Sequence, residues 1–434
     1  MSLSHSTIRV LWFVNASFPA VDSYLGRTEY IGTGSWLKAT VSEMVKCENI
    51  EIGIVWASDD IHNYEKFNDD KMVYYLIPQY PVVSRQKHRI LARFQRMINS
   101  VRNLSYKREI DYCIQAVNDF KPDLIHIWGT ENYYGLMSQK TNIPILIRFQ
   151  GLLSVIIKDY WGGVRIQERL SMFNEALYYI NMRNRAKNEV KIIKQNRYFE
   201  GRTLWDHSHL REMNATGIYY DIPVLMRASF YQSEWSINNI NRHTIYITAR
   251  SQPLKGNDCL IKAISIVRKY VPDIQLRIGG HIINSGYGKY LKKLVSRLGL
   301  NDCVTFMGPV SESEIINELL NTHVYVLSSY IENECNSLIE AQLVGVPCVA
   351  AYVGGIPSTI IDNETGLLFH KGDSAMLAMN IRKIFDDDNL AKKLSNTARI
   401  RGMARFNKDN VVNETLLAYQ DIIDRASIDD AGHN

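Results

Sequence analysis

Short apolar runs bounded by polar or turn-forming residues recur along the chain, alternating with stretches whose apolar positions return every three or four residues. Residues 8–16 (IRVLWFVNA) open the series. A run without polar alternation is the pattern of a strand buried on both faces of a parallel sheet. Further runs at 50–56 (IEIGIVW), 72–77, 123–128 (DLIHIW) and 144–149 (PILIRF) predict βα units around one such sheet. The grammar restarts at Thr244: TIYITA, a helix from about residue 257, IQLRI, a helix from about 287, CVTFM, a helix from 312, HVYVL, a helix after Asn336, then PCVAA. Two doubly wound α/β domains are expected, at 1–235 and 236–408, followed by a terminal helix over 409–434. Residues 228–242 have no clean period and suit the connection. The 434-residue length agrees, since domains hold roughly 150 residues.

After the first run, Gly32-Thr33-Gly34 precedes a stripe of Trp36, Leu37, Val41 and Met44, with Ser35 as the expected helix cap. Leu37 stands where a GxGxxG motif needs its third glycine, so a dinucleotide site is not predicted. The glycines, Gly34 among them, fit close backbone approach to a ligand. A second pattern falls at residues 84–104, where Ile90, Leu91, Phe94, Met97, Ile98, Val101 and Leu104 share one helical face and Arg85, Arg89, Arg93 and Arg96 another. Residues 84–108 carry eight Lys/Arg and no Asp or Glu. Such a helix either packs on the first domain with a solvated basic face or lies on an anionic membrane surface. Residues 183–197, with six Lys/Arg against Glu189 alone, add to the second reading.

Composition narrows the class. Apolar content of 46% and charged content of 22% are those of a globular enzyme. A formal charge of +5 is too small for a dedicated nucleic-acid binder. Six scattered cysteines without a CxxC pair predict a reduced, cytoplasmic protein without structural zinc. No run reaches the roughly 18 apolar residues of a membrane span, and no signal core opens the chain.

GxxxxGK[ST], HExxH and GxSxG are absent, which removes P-loop, zincin and α/β-hydrolase readings. Asp386-Asp387-Asp388 closes a helical pattern and reads as a solvated turn. Chemistry-bearing residues gather instead at the expected carboxyl ends of second-domain strands, where doubly wound sheets bind ligands. Arg250 follows TIYITA, and Lys255-Gly256 lies five residues on; two cations there suit a diphosphate. Gly279-Gly280 follows IQLRI and permits close approach. Glu332 and Glu340 are separated by seven residues, with Asn336, Ser337 and Leu338 opening a helix between them, and a helix start offers N–H groups to phosphate. Ser337 and Glu340 also match the capping box S-x-x-E, an alternative role for Glu340. Gly354-Gly355 follows the next strand. Carboxylate, helix start and cations together describe a nucleotide-sugar site.

In order and spacing, Arg250, Lys255-Gly256, Gly279-Gly280, Glu332 to Glu340 and Gly354-Gly355 resemble the family 4 retaining glycosyltransferases of GT-B fold. That resemblance implies two facing Rossmann-like domains with an interdomain cleft. It also implies an acceptor-side N-terminal domain, a donor-binding C-terminal domain, a terminal helix crossing back to the first domain, and no metal or other cofactor. By the same resemblance, Arg250 and Lys255 bind the donor diphosphate, Glu332 the transferred sugar and Glu340 the ribose, and Gly34 lies near the phosphates. Where members place a histidine at the end of the fifth strand, this chain has Gln150; His126, Arg202 and Asp206 are the polar substitutes beside strand-like runs. Ser358 stands where the family often has a glutamate.

The expectation is a retaining, metal-independent hexosyltransferase that takes a nucleotide-sugar donor and a glycan or lipid-linked acceptor. It would serve a bacterial surface polysaccharide, in the cytoplasm or on the inner membrane face, with no nucleic-acid partner. A GT-B epimerase or phosphorylase, and a non-catalytic nucleotide-sugar-binding module, are the alternatives.

Overall fold

A computed structural model describes residues 7–27, 34–69, 71–79, 106–248, 250–282 and 286–432. The basic stretch at 84–108 lies almost entirely outside the described residues, as do Gly32 and Thr33. The chain packs as two compact units: residues 1–154, 180–225 and 408–434 form the first, and residues 155–179 and 226–407 the second.

In the first unit an eight-stranded sheet runs β3-β4-β2-β1-β5-β6-β7-β8. Its strands are β1 (Ile8–Val14), β2 (Ile50–Ser58), β3 (Glu65–Asn68), β4 (Val73–Pro78), β5 (Leu124–Trp128), β6 (Ile145–Arg148), β7 (Tyr198–Gly201) and β8 (Ile218–Asp221). All pairings are parallel except that of the edge strand β3 with β4. The continuous apolar runs become the central strands, β1 and β5 being almost wholly buried, as expected where helices cover both faces. Three strands lacked that signal: β3 is a half-exposed edge, β7 carries the buried Glu200, and β8 is only partly buried. The terminal helix Lys408–Gly432 belongs to this unit. It places Tyr419 and Ile422, both without exposure, in one core cluster with Trp12, Leu124 and Trp128.

The second unit holds a six-stranded, wholly parallel sheet in the order β11-β10-β9-β12-β13-β14. Its strands are β9 (Thr244–Thr248), β10 (Gln275–Gly279), β11 (Val304–Gly308), β12 (Val324–Leu327), β13 (Cys348–Ala351) and β14 (Leu367–Phe369). Helices Asn257–Val267, Gly286–Arg297, Glu312–Asn321 and Asn336–Val344 fall where the helical periods start. Residues 155–179 pack here by close contact: Gly162 and Gly163 face Tyr330 with no room for a Cβ. Glu175 accepts the Tyr287 N–H at 2.8 Å at the start of its helix. The triple aspartate is a cap rather than a turn alone, since Asp387 accepts the N–H groups of Asn389 and Leu390. No helix of the described residues is long and apolar enough to cross a membrane.

Candidate functional site

The second sheet reverses its strand order between β9 and β12, the position where open α/β sheets bind ligands beyond their carboxyl ends. Two loops leave the sheet there. One carries Arg250, the turn Pro253–Lys255 and Gly256; the other runs from Ser328 to Cys335 and enters helix Asn336–Val344. Tyr330 N–H donates to the Leu254 carbonyl at 2.8 Å, tying the loops together. Gly256, at φ 66°, faces the Ser328 carbonyl so closely that any Cβ would collide with it, which only glycine allows.

That approach brings Lys255 to Glu332. The ammonium donates to Glu332 Oε1 at 2.5 Å, and the Ser329 hydroxyl donates to the same oxygen at 2.7 Å. Burial works against the Lys255 charge, but Glu332 outweighs it and holds the pKa above its ordinary value, while Arg250 pulls the other way. Lys255 is therefore a cation at neutral pH, and the exposed Arg250 shares its surroundings. The Cys335 thiol beside them is pushed up by burial and by Glu332, against Lys255. Gly354, at φ 49°, packs on the Glu332 carbonyl without room for a Cβ, and Gly355 N–H donates to that carbonyl at 3.1 Å. The glycine pair thus sets the backbone beneath Glu332. Gly280, at φ 114°, donates its N–H to the Gly308 carbonyl at 2.7 Å, so Gly279-Gly280 closes the end of β10.

The helix after these loops starts at Asn336, and its N-cap, Cys335, makes no side-chain capping bond. Ser337 is its second residue and takes the Tyr325 hydroxyl at 2.7 Å. Leu338 is fully buried, so only its main chain faces the helix start. The capping-box alternative for Glu340 is not met: its carboxylate pairs with Arg227 Nη2 at 2.7 Å. Burial raises the Glu340 pKa, Arg227 opposes this, and Glu312 adds to it.

The first unit places its expected residues less favourably. His126 has no exposure: its Nδ1 meets the Tyr419 hydroxyl at 2.6 Å, its Nε2 lies 3.0 Å from Glu200, and its ring stacks on Trp128. Burial and then the Arg148 charge hold its pKa well below the ordinary range. His126 is a neutral core residue, because β5 is buried on both faces and Tyr419 and Glu200 enclose the ring. Arg202 and Asp206 are buried as well. Asp206 closes a capping box with Thr203 at helix Leu204–Met213, accepts the Arg202 N–H at 3.2 Å and the Tyr219 hydroxyl at 2.6 Å, and is fully buried. Ser35 is not the cap of its helix; Gly34 is, in the left-handed region at φ 75°. Gln150 is half-buried and donates to the Trp128 carbonyl at 2.8 Å. It joins polar residues that sequence reasoning passed over, all just beyond strand ends: Asn15 donates to Glu131 at 2.7 Å, and Asn132 to Asn15 at 3.1 Å. A polar residue directly after the apolar run was the available signal for Asn15 and Gln150.

Residues 234–401 match the family model of glycosyl transferases group 1. The likeness to that family is confined to this segment. It contains the Lys255–Glu332 pair and both glycine turns. D-inositol 3-phosphate glycosyltransferase of Streptomyces coelicolor is 34% identical over 176 residues, covering 39% of this chain and 38% of that protein. The namesake in Mycolicibacterium smegmatis is 30% identical over 177 residues, covering 40% and 39%. The glycosyltransferase match thus spans under half the length of these relatives. Among solved structures, sucrose-phosphate synthase from Thermosynechococcus elongatus has a TM-score of 0.73 at 18% identity, covering 96% of this chain and 100% of that one. Anabaena HepE, solved with UDP and glucose, has 0.65 at 15% identity, covering 95% and 100%. The fold is that of the GT-B glycosyltransferases.

Proposed function

We propose that the protein is a retaining glycosyltransferase, moving a hexose-type sugar from a nucleoside-diphosphate donor to a hydroxyl of a glycan or lipid-linked glycan without a metal ion. The Lys255–Glu332 pair beside Arg250, at the strand-order reversal of the glycosyltransferase domain, carries this reading. The names of the relatives, and the UDP bound in HepE and in Staphylococcus aureus TarM, support it.

As the glycosidic bond breaks, negative charge develops on the leaving diphosphate. Cations and helix-start N–H groups already in place stabilise that charge most in the transition state. Lys255 and Arg250 supply the cations, and helix Asn336–Val344 the N–H groups. Lys255 exchanges its bond to Glu332 for one to phosphate, and the carboxylate is then available to the sugar hydroxyls. Glu340 takes the ribose. The acceptor hydroxyl attacks the anomeric carbon from the face the diphosphate leaves, and its proton passes to the departing phosphate oxygen.

Incubation with UDP-, GDP-, ADP- and dTDP-sugars tests the reading. Expected are slow release of free nucleotide, acceleration by an acceptor, a product anomer matching the donor, and a rate unchanged by a chelator. Lys255→Met should weaken donor binding about 10- to 100-fold, the range of a charge-assisted hydrogen bond. A changed sugar still on its nucleotide would mark an epimerase, phosphate-dependent release of sugar 1-phosphate a phosphorylase, and binding without turnover under any acceptor a binding module. Unaltered donor affinity in Lys255→Met would refute the diphosphate site.

A further inference from the structure

Glu340 is held by a residue that no spacing in the sequence connects to it. Arg227, 113 residues earlier, reaches Glu340 Oε1 through Nη2 at 2.7 Å and Glu312 Oε2 through Nη1 at 3.1 Å. Its guanidinium also lies 4.6 Å from the centre of the Phe230 ring. Glu312 is itself held, accepting the Ser229 hydroxyl. A planar fork fixed by two carboxylates and a ring face has little freedom. The Glu340 side chain, 9% exposed, takes the orientation Arg227 gives it. Its Oε1 is occupied, while among the described residues no group bonds Oε2.

We infer that Arg227 is a positioning residue for the donor: it engages one oxygen of Glu340 so that the other is presented, charged and in fixed orientation, to the ribose 2′-hydroxyl of the nucleotide. This rests on the proposed donor site and on Glu340 as its ribose contact. A buried carboxylate without a cation turns toward its neutral form and loses its value as an acceptor. Arg227 opposes this while also excluding other rotamers. The selectivity it confers is for ribonucleotide over deoxyribonucleotide, because a site built to receive a hydroxyl is left unpaired when that hydroxyl is missing.

Calorimetric titration of the full chain with UDP, GDP and ADP against their 2′-deoxy counterparts tests this. Wild type should prefer the ribonucleotide by about tenfold or more. Arg227→Met should lose most of that preference, whereas Arg227→Lys, which keeps the charge and folds more securely, should retain a measurable part of it. In turnover, Arg227→Met should raise the donor KM more than it lowers kcat. Glu340→Gln separates the layers of the argument. If Glu340→Gln loses the preference and both Arg227 variants keep it in full, Arg227 has no positioning role. If Glu340→Gln keeps it, Glu340 is not the ribose contact and the inference falls with that assignment. If wild type binds none of these nucleotides, the donor site and the inference both fall.

Discussion

Lys255 and Glu332 show how one side chain acquires its properties from another. Apart, each would be a solvated charge; at 2.5 Å the carboxylate holds the Lys255 ammonium charged against its burial. His323 shows the opposite case. It is fully buried, and its ring stacks on Phe385. Burial, with the charges of Arg242 and His243, lowers its pKa to about 4, against a smaller pull from Asp388. A histidine whose pKa is lowered by folding adds stability that is present above its unfolded pKa of about 6.5 and is lost as pH falls toward the folded value. Stability of the second unit should therefore decline between about pH 6.5 and pH 4, by roughly 3 kcal/mol at most from this residue. Thermal melts of wild type and His323→Gln across that range check it; equal pH slopes for the two would contradict the assignment. His323 gave no such signal in the sequence, where it is one polar letter ahead of an apolar run. Depth of burial depends on what other segments cover, and the full burial of His126 was hidden from the sequence for the same reason.

Whole elements were more readable. The central strands and the helices between them declare themselves because a segment's own period decides which of its faces turns inward. Helix Phe173–Gln195 shows the limit of this, since the basic stretch 183–197 suggested a surface role while Glu189, the one acid among its six cations, carries the packing. Glu189 is without exposure. It accepts the N–H groups of Leu153 and Ser154 at 2.9 and 2.8 Å, and the hydroxyls of Thr130 and Ser154, both at 2.7 Å. Burial raises its pKa, and these donors oppose that. Glu189→Ala removes four acceptor contacts at once and should cost about 2–4 kcal/mol. Amide exchange at Leu153 and Ser154 should accelerate more than at Ile192 and Ile193 of the helix itself. Uniform acceleration would indicate general destabilisation instead. The short strand β14 lacked a period of its own, three residues being too few to show one.

At the scale of the molecule, the chain closes its first unit with its last helix. Tyr419 and Ile422 have no exposure, and the Tyr419 hydroxyl meets the buried His126. Val411 and Ala418 pack with Ile222 and Leu225 in a second cluster. Large buried apolar side chains contribute about 1.5–3 kcal/mol each, so this helix supplies much of the 5–15 kcal/mol by which a domain is usually stable. A chain ending at Asn407 should lose the native environment of Trp12 and Trp128, seen as red-shifted tryptophan emission and fast amide exchange in β1 and β5. Protected β1 and β5 amides in that truncation would overturn the prediction.

The amino-acid sequence by itself determined two parallel α/β sheets, the order of their central elements, and the glycine-rich loops with their acids and cations beyond the strand ends. These follow from local properties: hydrophobic period, the conformational freedom of glycine, and polar residues directly after apolar runs. Tertiary structure alone decided which charges meet. Lys255 lies 77 residues from Glu332, Arg227 lies 113 from Glu340, and Glu200 and Tyr419 enclose His126 from distant segments. Ion pairing and burial depend on distance through space, which only the folded sheets, with their crossovers and shared cores, bring to 3.0 Å or less.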